Sequence, residues 1–394
     1  MSEKILQQPT ENKLLGLEIM RFFSALSILI WHYQHFAPNN FIREQQPLYP
    51  YLSIFYEHGS FGVYVFYCIS GFIFFWKYRE TISNRVVGGK EFFISRFARL
   101  YPLHLLTLLL VAVLQLIYFN INNDYFIVHE NDSYHFILQL FFASEWGFQK
   151  GASFNGPIWS ISVEILVYFL FFLILRYLSK SILINIILII LCIFAKTYDI
   201  PLTNRGGVAS PIVSCIALFY MGGLSAILFR IFEKKKYKFF LDIILGFALI
   251  LVSVIIWQFE IYKIDNFDKI FVFFYTPALL YIVSQNIRVT SSLQKSIEMA
   301  GNLTYSSYLT HFPIQIIIVT FFSLTNIQIP FYNVFFFLSY ILLTLISQNR
   351  LKLPEQWGKH LQGIKNYKKY GSLGILHNNQ NKYFSSEELI QLGF

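Results

Sequence analysis

Ten stretches of this chain are apolar for about the length a helix needs to cross a lipid bilayer, and this constrains the fold more than any other feature. They lack the alternation of a half-buried strand and the narrow stripe of a surface helix. Segments that are apolar all round are either deeply buried or lipid-facing. Composition decides between these: 55% of the residues are hydrophobic and only 13% charged, against about 25% charged in an ordinary soluble domain. The chain therefore reads as an all-α integral membrane protein, a polytopic bundle of about ten transmembrane helices. The spans fall at residues 14–36, 60–78, 102–121, 156–178, 181–197, 208–229, 239–259, 269–286, 303–323 and 331–348. The tenth is short and the fifth ambiguous, so nine or eleven also fits. Tyr134–Phe148 is too short and mixed to cross and reads as an amphipathic or re-entrant piece.

Charge supplies a direction. With the N-terminus in the cytoplasm, the inward connections hold the basic clusters, as the positive-inside rule requires. One carries Lys77, Arg79, Arg85, Lys90, Arg96 and Arg99; another carries Arg230, Lys234, Lys235, Lys236 and Lys238. A polar tail from residue 349 to 394 adds seven more basic residues, from Arg350 to Lys382. Outward connections are poor in Lys and Arg. The expected organisation is a cytoplasmic segment 1–13, a membrane domain 14–348 and a basic cytoplasmic tail 349–394, with both termini inside the plasma (inner) membrane. The net charge of +9 then reflects topology and attraction to anionic headgroups; no soluble basic domain exists to bind nucleic acid. The first apolar block carries Glu18 and Arg21 with no small-residue cleavage site after it, unlike a signal peptide. Cys68, Cys192 and Cys215 each lie inside an apolar block and read as packing residues, so no metal site is expected. No internal repeat is visible, and the sequence sets no oligomeric state.

Ionisable residues inside spans are expensive and mark function by default. Glu18 and Arg21 share a helix face and can pair. Arg21 and His32, eleven residues apart, also share a face, separated by roughly 16 Å along the axis. The bland alternative makes the pair a topology lock and His32 an interfacial residue. Arg96 and Arg99 sit side by side at the cytoplasmic mouth, where two planar guanidiniums suit phosphates or serve as an anchor. Ser70 and Gly71 lie mid-membrane; small residues there mean close helix packing or room for a thin ligand chain. Glu164 is expected a turn or two below the exterior surface, at the depth of His32, and needs a partner. His311 either hydrogen-bonds backbone freed by Pro313 or has a chemical role. His35, His58, His104, His129 and His135 lack metal-ligand spacing and read as background. Tyr49, Tyr51, Tyr56, Tyr125 and Trp146 in the outer loops either stack on sugars or form an interfacial aromatic belt.

Five motifs recur in one order. They are Leu17-Glu18-Ile19-Met20-Arg21 leading to His32; Ser70-Gly71-Phe72; Arg96 to Pro102 as R-x-x-R-L-x-P; Trp159-Ser-Ile-Ser162-Val-Glu164; and Ser307, Tyr308, Leu309, His311 and Pro313. Together they resemble the acyltransferase-3 family of membrane proteins, which O-acylate surface and exported carbohydrates. Glu18 stands where that family commonly has Asp, and Phe22 where it has Gly. Leu353-Pro354-Glu355 is an imperfect echo of the family's ending.

The resemblance implies an acyl-CoA donor, most often acetyl-CoA, as co-substrate with no permanently bound cofactor. It implies as acceptor a hydroxyl of a carbohydrate or glycolipid, such as an exopolysaccharide or other cell-envelope glycan. His32 is the expected general base, with Glu164 orienting it. Arg21, Arg96, Arg99, Ser70 and Gly71 are expected to hold the donor, with Glu18, Trp159, Ser162, Tyr308 and His311 in support. A covalent acyl-enzyme on Ser or Tyr stays open. So do a transporter of glycolipid or acyl groups and a catalytically inactive relative.

Overall fold

The computed structural model describes residues 14–198, 211–233, 235–264, 267, 271–285 and 289–350. The expected segment 1–13 and the tail beyond Arg350, Leu353-Pro354-Glu355 included, lie outside the described residues. Among the described residues the chain is helical without strands. In chain order the helices are α1 (Leu15–His32), α2 (Tyr49–His58), α3 (Phe61–Ser83), α4 (Gly89–Asn122), α5 (Ser133–Leu140), α6 (Ile158–Leu173), α7 (Ile182–Thr197), α8 (Pro211–Phe232), α9 (Lys238–Gln258), α10 (Thr276–Val283), α11 (Ser291–Thr325) and α12 (Val334–Arg350).

Helix ends follow local chemistry. Asp132, Ser181 and Thr290 cap α5, α7 and α11 by accepting backbone N–H bonds from His135, Leu183 and Leu293. The two longest helices stop at Asn123 and Asn326, both left-handed, a conformation asparagine tolerates.

Among the described residues seven helices are long and apolar enough to cross a membrane, which makes this a multi-pass membrane protein. The expected spans 181–197, 269–286 and 331–348 appear as shorter apolar helices, so length and composition alone do not return ten. Two other spans prove longer than their apolar parts. Residues 102–121 are the later part of the 34-residue α4, and 303–323 part of the 35-residue α11. Their polar opening turns continue the helix below the apolar stretch, which a hydropathy reading truncates. Of Tyr134–Phe148, α5 takes the first half.

The helices meet where side chains are small. At Gly71 a Cβ would fall 1.8 Å from the Phe219 carbonyl oxygen, and at Gly222 1.9 Å from that of Cys68. These glycines let α3 and α8 pack backbone to backbone, the usual device between helices in lipid. An aromatic core surrounds the contact, with Phe74 stacked on Tyr168 at 4.2 Å. Pairing also fixes directions. Cys68 meets Gly222 and the Trp76 carbonyl accepts from Arg230, so α3 and α8 run parallel. Gly62 meets Ser24 and Gly59 meets Ser27 and Trp31, so α1 and α3 run antiparallel. Glu18 meets Gly301 and His32 meets His311, so α1 and α11 run parallel.

Irregular backbone at membrane depth survives only where protein buries and satisfies it. The same need to satisfy buried backbone is met between α4 and α6 with side-chain amides. Gln115 bonds both polar groups of Phe126, at 2.9 and 3.0 Å, and Gln139 donates to Ser153 O at 2.8 Å. Asn155, fully buried, donates to Leu309 O at 3.1 Å. That carbonyl would otherwise bond the residue four places on, which is Pro313 and has no N–H. Asn155, and not His311, therefore takes the backbone freed by Pro313. Asn155→Leu should leave that carbonyl unpaired and cost about 1–3 kcal/mol, seen as a lower thermal midpoint in detergent.

Candidate active site

A cavity of about 130 Å³ opens among α1, α3, α4, α6 and α11. Three arginines line it: Arg21, Arg96 and Arg99. Arg21 donates to both carboxylate oxygens of Glu18, at 3.3 Å each, so the i,i+3 pair expected from sequence forms. Arg96 donates to the Tyr78 hydroxyl at 2.5 Å and lies 5.2 Å from the ring centres of Phe74 and Tyr78, an arrangement that holds a guanidinium by stacking.

Glu164 faces the same cavity. Its carboxylate accepts from the Ser70 and Tyr168 hydroxyls, and the charges of Arg21 and Arg99 act on it. Its Oε1 is sealed from solvent and has no hydrogen-bond partner among the described residues. This corrects the expectation that Glu164 orients His32. The physical reason is depth: α6 opens at the fully buried Ile158, just after the fully buried Asn155. Its start is thus inside the protein, and counting from an assumed surface placed Glu164 too high.

The motif neighbours sort by helix geometry. Ser70 lines the cavity, whereas Gly71, one residue and 100° round, faces α8 and is a packing residue, not a donor contact. Ser160 lines the cavity, its hydroxyl 2.7 Å from that of Tyr308. Ser162, which the sequence reading chose instead, faces the loop, where its hydroxyl accepts from the Glu145 N–H at 3.1 Å and its carbonyl from Trp146 Nε1 at 2.8 Å. Trp159 packs against the aromatic core and stays out of the cavity wall. Tyr308 lines the cavity and donates to Pro157 O at 2.9 Å. Tyr56, among the candidate sugar-stacking rings, is instead buried, with its hydroxyl on Pro47 O at 3.0 Å.

Beyond Tyr308 the site continues as histidines. The Tyr308 and His311 ring centres are 5.9 Å apart, His311 and His32 4.6 Å, and His32 and His35 4.9 Å. His32 Nδ1 lies 2.9 Å from the Ile28 carbonyl oxygen. That oxygen can only accept, so Nδ1 carries the hydrogen and the neutral ring keeps its lone pair on Nε2. Gln315, fully buried, donates to the His32 carbonyl at 2.7 Å and to Tyr340 at 3.2 Å, while its own oxygen lies 3.0 Å from His35 Nδ1. Every polar group of this amide is thus engaged, with His32 and His35 at the end of α1 and with Tyr340 on α12.

Gln315, Ser160 and Tyr168 are not singled out by the sequence, and His35, which reads there as background, joins the site. Gln315 had a readable signal: it is a polar residue inside an apolar span, four residues and so one helical turn from His311. His35 follows His32 by one turn, but the chain there is a 3₁₀ turn, which no apolar pattern marks.

Elsewhere, Glu130, Asp132 and His135 bring three metal-ligand atoms together. Both ring nitrogens of His135 are already engaged, Nδ1 with Asp132 at 2.7 Å and Nε2 with the Lys150 N–H at 3.1 Å. Hydrogen bonds from the His135 backbone N–H and ring hold the Asp132 carboxyl below its usual range. The cluster reads as a helix cap.

Comparison with known proteins agrees with the motif reading. A segment of 106 residues is 35% identical to Acyltransferase MdmB of Streptomyces mycarofaciens, covering 27% of this chain and 25% of that protein. No solved structure matches. The acyltransferase-3 model, described as an acyltransferase domain, matches residues 14–347. The chain belongs to the acyltransferase-3 family.

Proposed function

We propose that the protein is a membrane O-acyltransferase moving an acyl group, acetyl in the first instance, from cytoplasmic acyl-CoA to a hydroxyl of a surface or exported carbohydrate. The observation that carries this reading is the continuous polar line from Arg96 and Arg99, through Arg21, Glu164 and Tyr308, to His311 and His32. It runs between two ends of one bundle and has different chemistry at each.

At the first end, Arg96 and Arg99 take CoA phosphates, which suit planar guanidinium forks. The pantetheine arm follows the cavity, and Glu164 Oε1 receives one of its amide N–H groups. Arg21 steers the thioester. At the second end, His32 Nε2 takes the proton of the acceptor hydroxyl as its oxygen adds to the thioester carbonyl. The C–S bond then breaks, and CoA leaves as the thiol with a proton returned from the imidazolium.

Topology supports the two-sided arrangement through parity. Because α3 and α8 run parallel, an odd number of crossings separates them, and α4, α6 and α7 supply three if α7 spans. If α7 spans, the parallel run of α1 and α11 also favours a crossing by α10 beside that of α9. With α12 returning beside α11, where Tyr340 meets Gln315 and Phe336 meets Phe322, these directions support a reading with ten crossings and with the start of α1 and the end of α12 on one side, which we take as cytoplasmic.

Kinetics test the donor end. Arg96→Ala with Arg99→Ala should raise the KM for acetyl-CoA about tenfold or more, the scale of one or two lost charge-assisted hydrogen bonds. An unchanged KM in a protein that still inserts would remove the arginines from donor binding.

A further inference from the structure

Phe74 faces the acyl-transfer cavity, but its neighbour Phe75 looks out of the opposite side of α3 into a second pocket of about 210 Å³. Arg79, Glu80 and Arg230 line it, set among apolar Phe75, Ala226 and Ile227. Lys180 reaches the same carboxylate from the connection just before α7. Glu80 is fully spent: one oxygen pairs with Arg79 at 2.8 Å, the other with Lys180 at 2.6 Å. Arg230 acts on the same group from further off. Three cations therefore face one carboxylate, the one paired with any of them among the described residues. Arg79 donates through Nη2 to Lys180 O at 2.6 Å, yet its Nε is sealed from solvent with no partner among the described residues. Arg230 spends one nitrogen on Trp76 O and lies 5.9 Å from the Trp76 ring centre.

Arg79 is half-buried while Arg230 and Lys180 are exposed at the mouth of the pocket, and with one carboxylate among three cations the cluster keeps an excess of positive charge that suits an anion. Two guanidiniums presenting remaining N–H groups fit a tetrahedral oxyanion better than a planar carboxylate, which Glu80 already supplies. We propose that this pocket binds a phosphate group between Arg79 and Arg230, with Lys180 at its rim. The phosphate comes either from an anionic lipid headgroup, for which basic residues at a membrane face are suited, or from a soluble nucleotide. This site lies outside the acyl-transfer cavity, and its occupancy is independent of whether acyl transfer occurs.

Thermal unfolding of the full chain in detergent tests it without any activity readout. The probes are phosphatidylglycerol, adenosine 3′,5′-bisphosphate, phosphatidylcholine and sodium chloride of matched ionic strength, and every form tested carries R96A/R99A so that the proposed CoA-phosphate contacts do not answer to the bisphosphate. Binding at saturating concentration should raise the midpoint by several degrees with phosphatidylglycerol if the source is lipid, or with the bisphosphate if it is soluble. Neither control should do so. R79Q/R230Q should lose the response. E80Q, which frees both cations from their carboxylate, should enlarge it and decides the matter if the double variant does not fold. A response no larger than the controls, a double variant that responds like the parent, or an E80Q response that is unchanged or smaller would overturn the site.

Discussion

His32→Ala should abolish glycan acylation while leaving the protein inserted and folded. A positioned base contributes about a hundred- to ten-thousand-fold, and label from radioactive acetyl-CoA appearing in surface glycan should fall by that factor. The expectation rests on geometry. The Ile28 carbonyl and the Gln315 amide fix the ring and the backbone that carries it, so Nε2 is held as an acceptor without a competing partner within α1. Loss of the ring removes that acceptor and little packing, because His32 is half-buried beside Trp31 and His311. His311→Gln is a useful contrast: its ring is fully buried, and substitution there perturbs packing together with chemistry. Retained labelling in His32→Ala would take His32 out of the reaction.

Gly71→Leu should prevent accumulation of folded protein. Even a Cβ at this position would meet the Phe219 carbonyl at 1.8 Å, and the obstacle is backbone, which cannot swing aside. Gly222, placed likewise against Cys68, makes the crossing doubly intolerant. Overpacking a well-packed core costs about 1–3 kcal/mol, and a forced separation of α3 and α8 adds the loss of the aromatic contacts around Phe74, Phe171 and Phe219. The measurement is the yield of monodisperse protein after detergent extraction. Ser70→Ala, one residue away, should extract normally and impair activity, since Ser70 bonds Glu164 in the cavity. If Gly71→Leu extracts normally and only acyl-CoA use suffers, Gly71 is a donor contact after all.

These adjacent residues show what sequence could reveal and where it stopped. The spacing of Glu18 to Arg21 is local, so one helix period predicts the pair that forms. The sequence reading takes Ser70 and Gly71 together as donor contacts; neighbours on a helix point about 100° apart, and which of them meets the cavity depends on α8, some 150 residues on. Ser160 and Ser162 were confused for the same reason. Glu164 was misplaced by an error of depth: an apolar helix starting inside the protein looks, in sequence, like one starting at the surface. The short helices α7 and α10 fall below a length criterion, yet partner directions distant in the chain bear on whether they cross. Gln315 and His35 needed tertiary contact to acquire meaning, since their hydrogen bonds join residues 280 or more apart.

The central claim is that donor and acceptor work from opposite faces of the membrane. Sealed vesicles of both orientations, loaded with native glycan and given labelled acetyl-CoA on one side only, test it most directly. The account predicts ester-linked label on glycan when acetyl-CoA is on the Arg96 and Arg99 side, and none when it is confined to the His32 side. Equal labelling from either side, or passage of label without a covalent bond to glycan, would contradict it.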